Sequence, residues 1–107
     1  MKLPVRARPE VAADIADLPD DELRTIALSI IASLGERPYL GRPLRGNISD
    51  CRKIYFDRAG VTEHPAFRVV YRLKPGESQP EEVDVITVGE RAGLAAYRQA
   101  RKRLGRG

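Results

Sequence analysis

The sequence predicts an α+β fold: an N-terminal strand and a helical hairpin packed on a small antiparallel sheet, followed by a C-terminal helix. Apolar residues recur at helical spacing in the first third of the chain, alternate with polar ones in the middle, and then form a nearly continuous apolar run at residues 83–88. Runs of helix followed by runs of strand favour this class over a wound parallel sheet. A chain of 107 residues makes one domain, residues 1–107.

The N-terminal third predicts one strand and two helices. Residues 3–6 read as an edge strand that leads into a helix with Pro9 in its first turn. Pro19 is expected to end that helix, Asp20 to cap the second, and Gly35 to stop it. The apolar stripes are Val11, Ile15 and Leu18 in the first helix, and Leu23, Ile26, Ala27, Ile30, Ile31 and Leu34 in the second.

Three strands are predicted after a loop rich in glycine and proline at residues 36–50. They span residues 52–57, 66–73 and 83–88, and the last is the best candidate for a central strand. Alternation turns one set of side chains toward the helices: Ile54, Phe56, Phe67, Val69, Tyr71 and Leu73. The opposite set predicts an open, cationic face: Lys53, Tyr55, Arg68 and Arg72. Residues 91–104 then form a final helix with Leu94, Tyr97 and Leu104 along one side.

Charge and composition narrow the possible partners. The net charge is +4, with acidic residues concentrated at 10–22 and basic residues after position 89. This asymmetry indicates a polyanionic or acidic partner at the basic end, although cations near a helix C-terminus also favour its dipole. Cys51 is the single cysteine, which excludes an internal disulfide and a cysteine metal cage. No signal-like start or membrane-length apolar run is seen, so a cytoplasmic protein without a membrane partner is expected.

The polar residues suit phosphodiester chemistry on RNA without a metal. The sequence shows no paired carboxylates, metal-ligand set or nucleophile triad. Attack of a ribose 2′-hydroxyl on the adjacent phosphate needs a base, cations around the phosphate oxygens, and an acid for the leaving oxygen. Arginine forks suit phosphate oxygens, and lysine or tyrosine can serve as base if its pKa falls.

The order of elements resembles the RelE/ParE superfamily of toxin-antitoxin toxins, and its RelE-like branch in particular. The resemblance covers nearly the whole chain. The motifs that carry it are the Leu44-Arg45-Gly46 turn, the Asp50-Cys51-x-Lys53-Ile54 and Phe67-Arg68-Val69-Val70-Tyr71 strands, and Val88-Gly89-x-Arg91 with Tyr97 six residues later.

The resemblance implies an active site and a function. RelE-like toxins use a strand lysine, a strand arginine, an arginine after the last strand and a helix tyrosine, which in this chain are Lys53, Arg68, Arg91 and Tyr97. It implies a ribosome-dependent mRNA endoribonuclease with no cofactor, whose partners are a cognate antitoxin, the ribosome and mRNA. Further RNA or ribosome contacts are expected from Arg45, Arg52, Tyr55, Arg72, Arg98, Arg101 and Lys102.

The sequence departs from the RelE-like pattern at two places, and two other functions remain as alternatives. Tyr55 stands where the prototype often has a second basic residue, and the loop at residues 58–65 is longer than in close relatives. His64 in that loop is interpreted as a surface residue and Asp50 as a turn cap. The alternatives are a ParE-like toxin that inhibits DNA gyrase by binding, and a binding module that has the fold without the activity.

Overall fold

A computed structural model describes residues 2–106, so residues 1 and 107 of the predicted domain lie outside the described part. The helices are α1 (Pro9–Ala16), α2 (Asp21–Ser33) and α3 (Ala95–Arg103), with short 3-10 helices at Gly46–Ile48 and Ala92–Leu94. The strands are β1 (Val5–Ala7), β2 (Arg42–Pro43), β3 (Cys51–Phe56), β4 (Phe67–Lys74) and β5 (Glu82–Glu90). The predicted α+β class is confirmed.

The five strands form one mixed sheet in the order β1-β5-β4-β3-β2. The sheet was predicted to be antiparallel, but β1 pairs with β5 in parallel, and the Val83 amide donates to the Pro4 carbonyl at 2.9 Å. β4 therefore occupies the centre, with β5 interior beside it. β2 is absent from the predicted elements because a two-residue strand leaves no periodicity to detect.

The two N-terminal helices begin where the sequence predicts. Pro9 opens α1, and the Asp20 carboxylate accepts a hydrogen bond from the Leu23 amide at 3.0 Å at the start of α2. Gly35 lies where the sequence predicts the stop, since α2 ends at Ser33 and Leu34 is its C-cap. A Cβ on Gly35 would lie 2.6 Å from the Leu3 carbonyl oxygen, so glycine lets the chain after α2 pass close to the N-terminal segment.

Both faces of the sheet carry a packed core. On one face α1 and α2 cover the predicted apolar set, including Phe56, Phe67, Val69, Tyr71 and Leu73. On the other face α3 packs its small residues Ala96 and Ala100 with Val70 and Ile86. The prediction that this second face is open is therefore wrong, because strand alternation assigns side chains to a face but cannot show which helix covers it.

The last helix begins later than predicted. Leu94 adopts a left-handed backbone conformation (φ 59°), which separates the 3-10 turn after β5 from α3. Leu94 is 54% exposed and does not join the apolar side of the helix, whereas Tyr97 and Leu104 do pack on the second core. None of the helices in residues 2–106 has the length and apolar character needed to cross a membrane.

Ion pairs attach α3 and the residues after it to the rest of the protein. Arg103 donates to both carboxylate oxygens of Asp14 in α1, at 2.5 and 2.9 Å. Asp14 also accepts from the Val88 amide at 3.1 Å, so one carboxylate joins α1, β5 and α3. Asp50 was interpreted as a turn cap, but its carboxylate binds the Arg106 guanidinium instead.

Candidate active site

Five side chains on the α3 side of the sheet form a tyrosine–cation cluster: Lys53, Tyr55, Arg68, Arg91 and Tyr97. The Lys53 Nζ atom lies 4.8 Å from the Tyr55 ring centroid and 5.9 Å from that of Tyr97. The Arg68 Cζ atom is 4.0 Å from the Tyr97 centroid and 5.2 Å from that of Tyr55. Arg91 Cζ lies 4.9 Å from the Tyr55 centroid. The structure thus brings all four predicted catalytic residues around Tyr55.

Strand register explains why these residues meet. Tyr55 and Arg68 are direct partners across the β3–β4 pair, so their side chains share a face. Lys53 is two residues before Tyr55 on that face. Arg91 follows β5 and is fixed by its amide, which donates to the Ala66 carbonyl at 2.7 Å. Tyr97 reaches the same place from the first turn of α3.

Arg68 is buried without a counter-charge. Its relative exposure is 1%, and its Nε and Nη1 atoms have no hydrogen-bond partner in the described part of the chain, while Nη2 makes one long contact of 3.4 Å with the Arg91 carbonyl. Burial lowers the pKa of this guanidinium. Within residues 2–106 it forms no ion pair. Buried cations are normally paired, so Arg68 is left without the counter-charge that its burial requires.

The two phenols of the cluster differ in accessibility. Tyr55 is 37% exposed, and its interaction with Lys53 lowers the pKa of its hydroxyl. The Tyr97 hydroxyl is buried beside Tyr55 and Lys53 without forming a hydrogen bond of normal geometry to any described residue, and burial raises its pKa. The pKa of Lys53 is raised, first by its interaction with Tyr55. Tyr55 is therefore the phenol that is both accessible and easier to ionise.

Two of the predicted RNA-binding arginines hold the fold together instead. The Arg52 guanidinium binds Glu77 at 2.7 Å and the Gly41 carbonyl at 2.6 Å. Arg72 lies on the same face as Arg68 but donates to the buried carboxylate of Asp84 at 3.0 Å. These arginines are engaged in internal ion pairs, so the structure favours a structural role for both over RNA binding.

Other predicted contact residues lie beside the cluster. Arg45 and Arg101 line a cavity of about 230 Å³ together with Lys53 and Tyr97. Arg98 and Lys102 are exposed on α3. Arg42 was missed by the sequence analysis; it pairs with Lys53 in register across β2–β3 and lines a neighbouring cavity with Lys53 and Tyr55. No pattern in the sequence marks it, because its strand is only two residues long.

The remaining candidates take no part in the cluster. His64 is exposed in the loop between β3 and β4, as predicted, and lines an open cavity that Arg91 also borders. Cys51 is fully buried, and burial raises the pKa of its thiol to about 12, so it is inert. Residues 2–106 contain no group of three or more histidine, cysteine or carboxylate side chains placed to hold a metal.

Comparison with solved structures identifies the fold. A mutant of the E. coli toxin RelE in the free state superposes with a TM-score of 0.70 at 23% identity, covering 97% of this chain and 99% of that one. The chain has the RelE/ParE toxin fold. The Mycobacterium tuberculosis RelBE2 toxin-antitoxin complex superposes with a TM-score of 0.62 at 20% identity, covering 85% of this chain and 100% of that one. The YoeB/ParE toxin from Agrobacterium tumefaciens superposes with a TM-score of 0.55 at 17% identity, covering 82% of this chain and 98% of that one.

The resemblance predicted from the motifs is thus confirmed at the level of the RelE/ParE fold. No protein-family model matches the chain, and no curated protein does. The same E. coli RelE mutant was also solved in complex with an antitoxin RelBc peptide, and in that comparison it is 20% identical to the present chain. At these identities the RelE/ParE likeness establishes architecture, and activity has to be argued from the cluster.

Proposed function

We propose that this protein is the toxin of a toxin-antitoxin system and a metal-independent, ribosome-dependent mRNA endoribonuclease. The observation that supports this most is Arg68, a fully buried guanidinium with two unpartnered nitrogens, grouped with two further cations and no carboxylate. A site of this kind attracts an anion that spreads its charge over several oxygens. A phosphodiester that gains charge in its transition state fits that description.

Each cation has a task in RNA cleavage. The Arg91 guanidinium, whose Cζ atom lies 4.9 Å from the Tyr55 ring centroid, would bind the non-bridging phosphate oxygens. Arg68, whose Cζ atom lies 5.2 Å from the same centroid, is only 1% exposed and would stabilise the phosphate charge as a buried cation behind the Tyr55 ring. Lys53 supplies a third positive charge from the same side. The ring of Tyr97 packs against the Arg68 guanidinium and orients it. The cavity lined by Arg45 and Arg101 continues this positive surface and suits the RNA backbone beyond the cleaved bond.

Induced expression tests the proposal directly. We expect protein synthesis to stop before DNA replication does, with mRNA cut at discrete positions, because the cluster acts on RNA that is held in the ribosome. The measurement is labelled amino-acid and thymidine incorporation together with cleavage mapping of mRNA. If replication stops first and mRNA stays intact, the gyrase alternative holds; if neither stops, the binding-module alternative holds.

A cognate antitoxin is the second part of the proposal. Of the five basic residues in the last ten positions, Arg103 and Arg106 are bound to Asp14 and Asp50. The other three, Arg98, Arg101 and Lys102, form no ion pair among the described residues and suit an acidic segment of a partner.

Charge reversal at Arg98, Arg101 and Lys102 together is expected to weaken antitoxin binding at least tenfold, because three favourable charge interactions become repulsive. The measurement is the dissociation constant by calorimetry at two salt concentrations. The matched control reverses Lys2, Arg37 and Lys74, which are exposed and lie outside α3 and the cluster. Equal weakening by both triple variants would contradict an antitoxin site on α3.

A further inference from the structure

We propose that Tyr55 is the general base of the reaction, with Lys53 as its general acid. This inference rests on the proposed ribonuclease function and assigns its two proton-transfer steps. Tyr55 is the centre of the cluster, since its ring has three cationic groups within 4.8 to 5.2 Å: Lys53, Arg68 and Arg91. No carboxylate among the described residues pairs with any of these three cations.

Accessibility separates Tyr55 from the other phenol. A base has to come within hydrogen-bonding reach of the ribose 2′-hydroxyl. Tyr55 is 37% exposed and borders an open cavity with Lys53 and Arg42. The Tyr97 hydroxyl is buried, and its ring is covered by Arg68 at 4.0 Å. Tyr97 therefore acts as a positioning residue for Arg68.

The ionisation states favour the same assignment. Its interaction with Lys53 lowers the pKa of Tyr55 below its ordinary value of 10.0, which enlarges the phenolate fraction near neutral pH. The pKa of Lys53 is raised above 10.5, first by its interaction with Tyr55, so the amine stays protonated and can donate. If Lys53 were the base and Tyr55 the acid, Lys53 would have to be neutral and Tyr55 protonated. The lowered pKa of Tyr55 and the raised pKa of Lys53 both oppose that arrangement.

The proton transfers balance over one cleavage event. The Tyr55 phenolate takes the proton of the 2′-hydroxyl, whose oxygen forms a bond to phosphorus. The bond from phosphorus to the 5′-oxygen breaks, and that oxygen receives a proton from the Lys53 ammonium. The products are a 2′,3′-cyclic phosphate and a free 5′-hydroxyl. The phenol of Tyr55 then returns its proton to the neutral amine of Lys53, its neighbour in the cluster.

A sulfur leaving group separates the two roles, because a thiolate leaves without protonation. Bacterial ribosomes are programmed with mRNA that carries either the natural 5′-oxygen or a bridging 5′-sulfur at the cleaved position, and rates are measured for Tyr55→Phe and Lys53→Met. We expect both variants to cut the oxygen substrate about 100-fold more slowly or worse. With sulfur, Lys53→Met should recover the part of its loss that comes from the missing acid and keep only the part that comes from the higher pKa of Tyr55, whereas Tyr55→Phe should not recover.

The pH profile gives a second readout. The wild-type rate should rise with pH through an ionisation below 10.0, and Tyr55→Phe should lose that rise. Tyr39→Phe is the control, since Tyr39 is another exposed phenol that packs on a paired arginine, Arg52, away from the cluster. It should cut at the wild-type rate.

The outcomes distinguish this inference from the function on which it rests. Sulfur rescue of Tyr55→Phe would exchange the two roles and overturn the assignment. A normal rate or an unchanged pH profile in Tyr55→Phe would also overturn it, while leaving the ribonuclease function intact. Wild-type protein that cuts neither substrate would overturn the proposed function itself.

Discussion

Replacing Arg68 with methionine is expected to abolish mRNA cleavage and to leave the folded protein at least as stable as before. The guanidinium is 1% exposed and has two unpartnered nitrogens, so its burial destabilises the native state. Methionine has similar length, fills the space against the Tyr97 ring, and carries no charge to desolvate. Alanine would be a poorer probe at this position, because removal of a buried side chain leaves a cavity.

The loss of activity follows from the same geometry. Arg68 is proposed to hold phosphate charge that grows in the transition state. Losing one group that stabilises such charge typically lowers the rate by about 100- to 1,000-fold. Stability should rise by on the order of 1 kcal/mol, since uncharged replacements for buried ions are often stabilising. The measurements are cleavage of ribosome-bound mRNA and the midpoint of thermal unfolding.

Arg72→Met is the matched control for stability. It removes the same charge from the same face of β4, but Arg72 is paired with Asp84 at 3.0 Å. Its loss leaves part of that buried carboxylate unmatched, so this variant should unfold at a lower temperature than wild type. An Arg68→Met protein that still cuts mRNA at the normal rate would remove Arg68 from the site. A loss of stability in Arg68→Met would show that the Arg68 charge is satisfied in the folded protein.

Asp14→Ala is expected to destabilise the protein strongly, and more than Arg72→Met does. The carboxylate binds Arg103 through two hydrogen bonds, and the two side chains are only 15% and 13% exposed. It also accepts from the Val88 amide and the Thr87 hydroxyl. Removing one partner of a buried pair typically costs about 3 to 5 kcal/mol, because the remaining charge stays buried.

Urea unfolding monitored by circular dichroism measures this cost. Asp17→Ala serves as the control, because Asp17 is an exposed carboxylate just beyond the end of the same helix. It should change the free energy of unfolding by less than about 0.5 kcal/mol. Equal stability of the two variants would show that the Asp14–Arg103 pair does not hold α3 against the sheet.

The sequence by itself determined most of the elements and which residue types share a face at the candidate site. Local signals were sufficient for the Asp20 cap and the start of α1 at Pro9, because each depends on only a few adjacent residues. Alternation placed Lys53, Tyr55 and Arg68 on one face, and the structure groups them there. The predicted fold class and the resemblance to the RelE/ParE fold are confirmed. Both could be predicted because they depend on the order and spacing of elements along the chain.

Only the tertiary structure decided which of the arginines have carboxylate partners. Arg52, Arg68 and Arg72 look alike in the sequence, yet the first and third are bound to carboxylates and the second is buried without one. The carboxylate partners, Glu77 and Asp84, lie on other segments of the chain. Their distance from the arginines depends on loop paths and strand register rather than on periodicity. The packing of α3 on the second face of the sheet could not be predicted for the same reason, because it joins residues that are far apart in the chain.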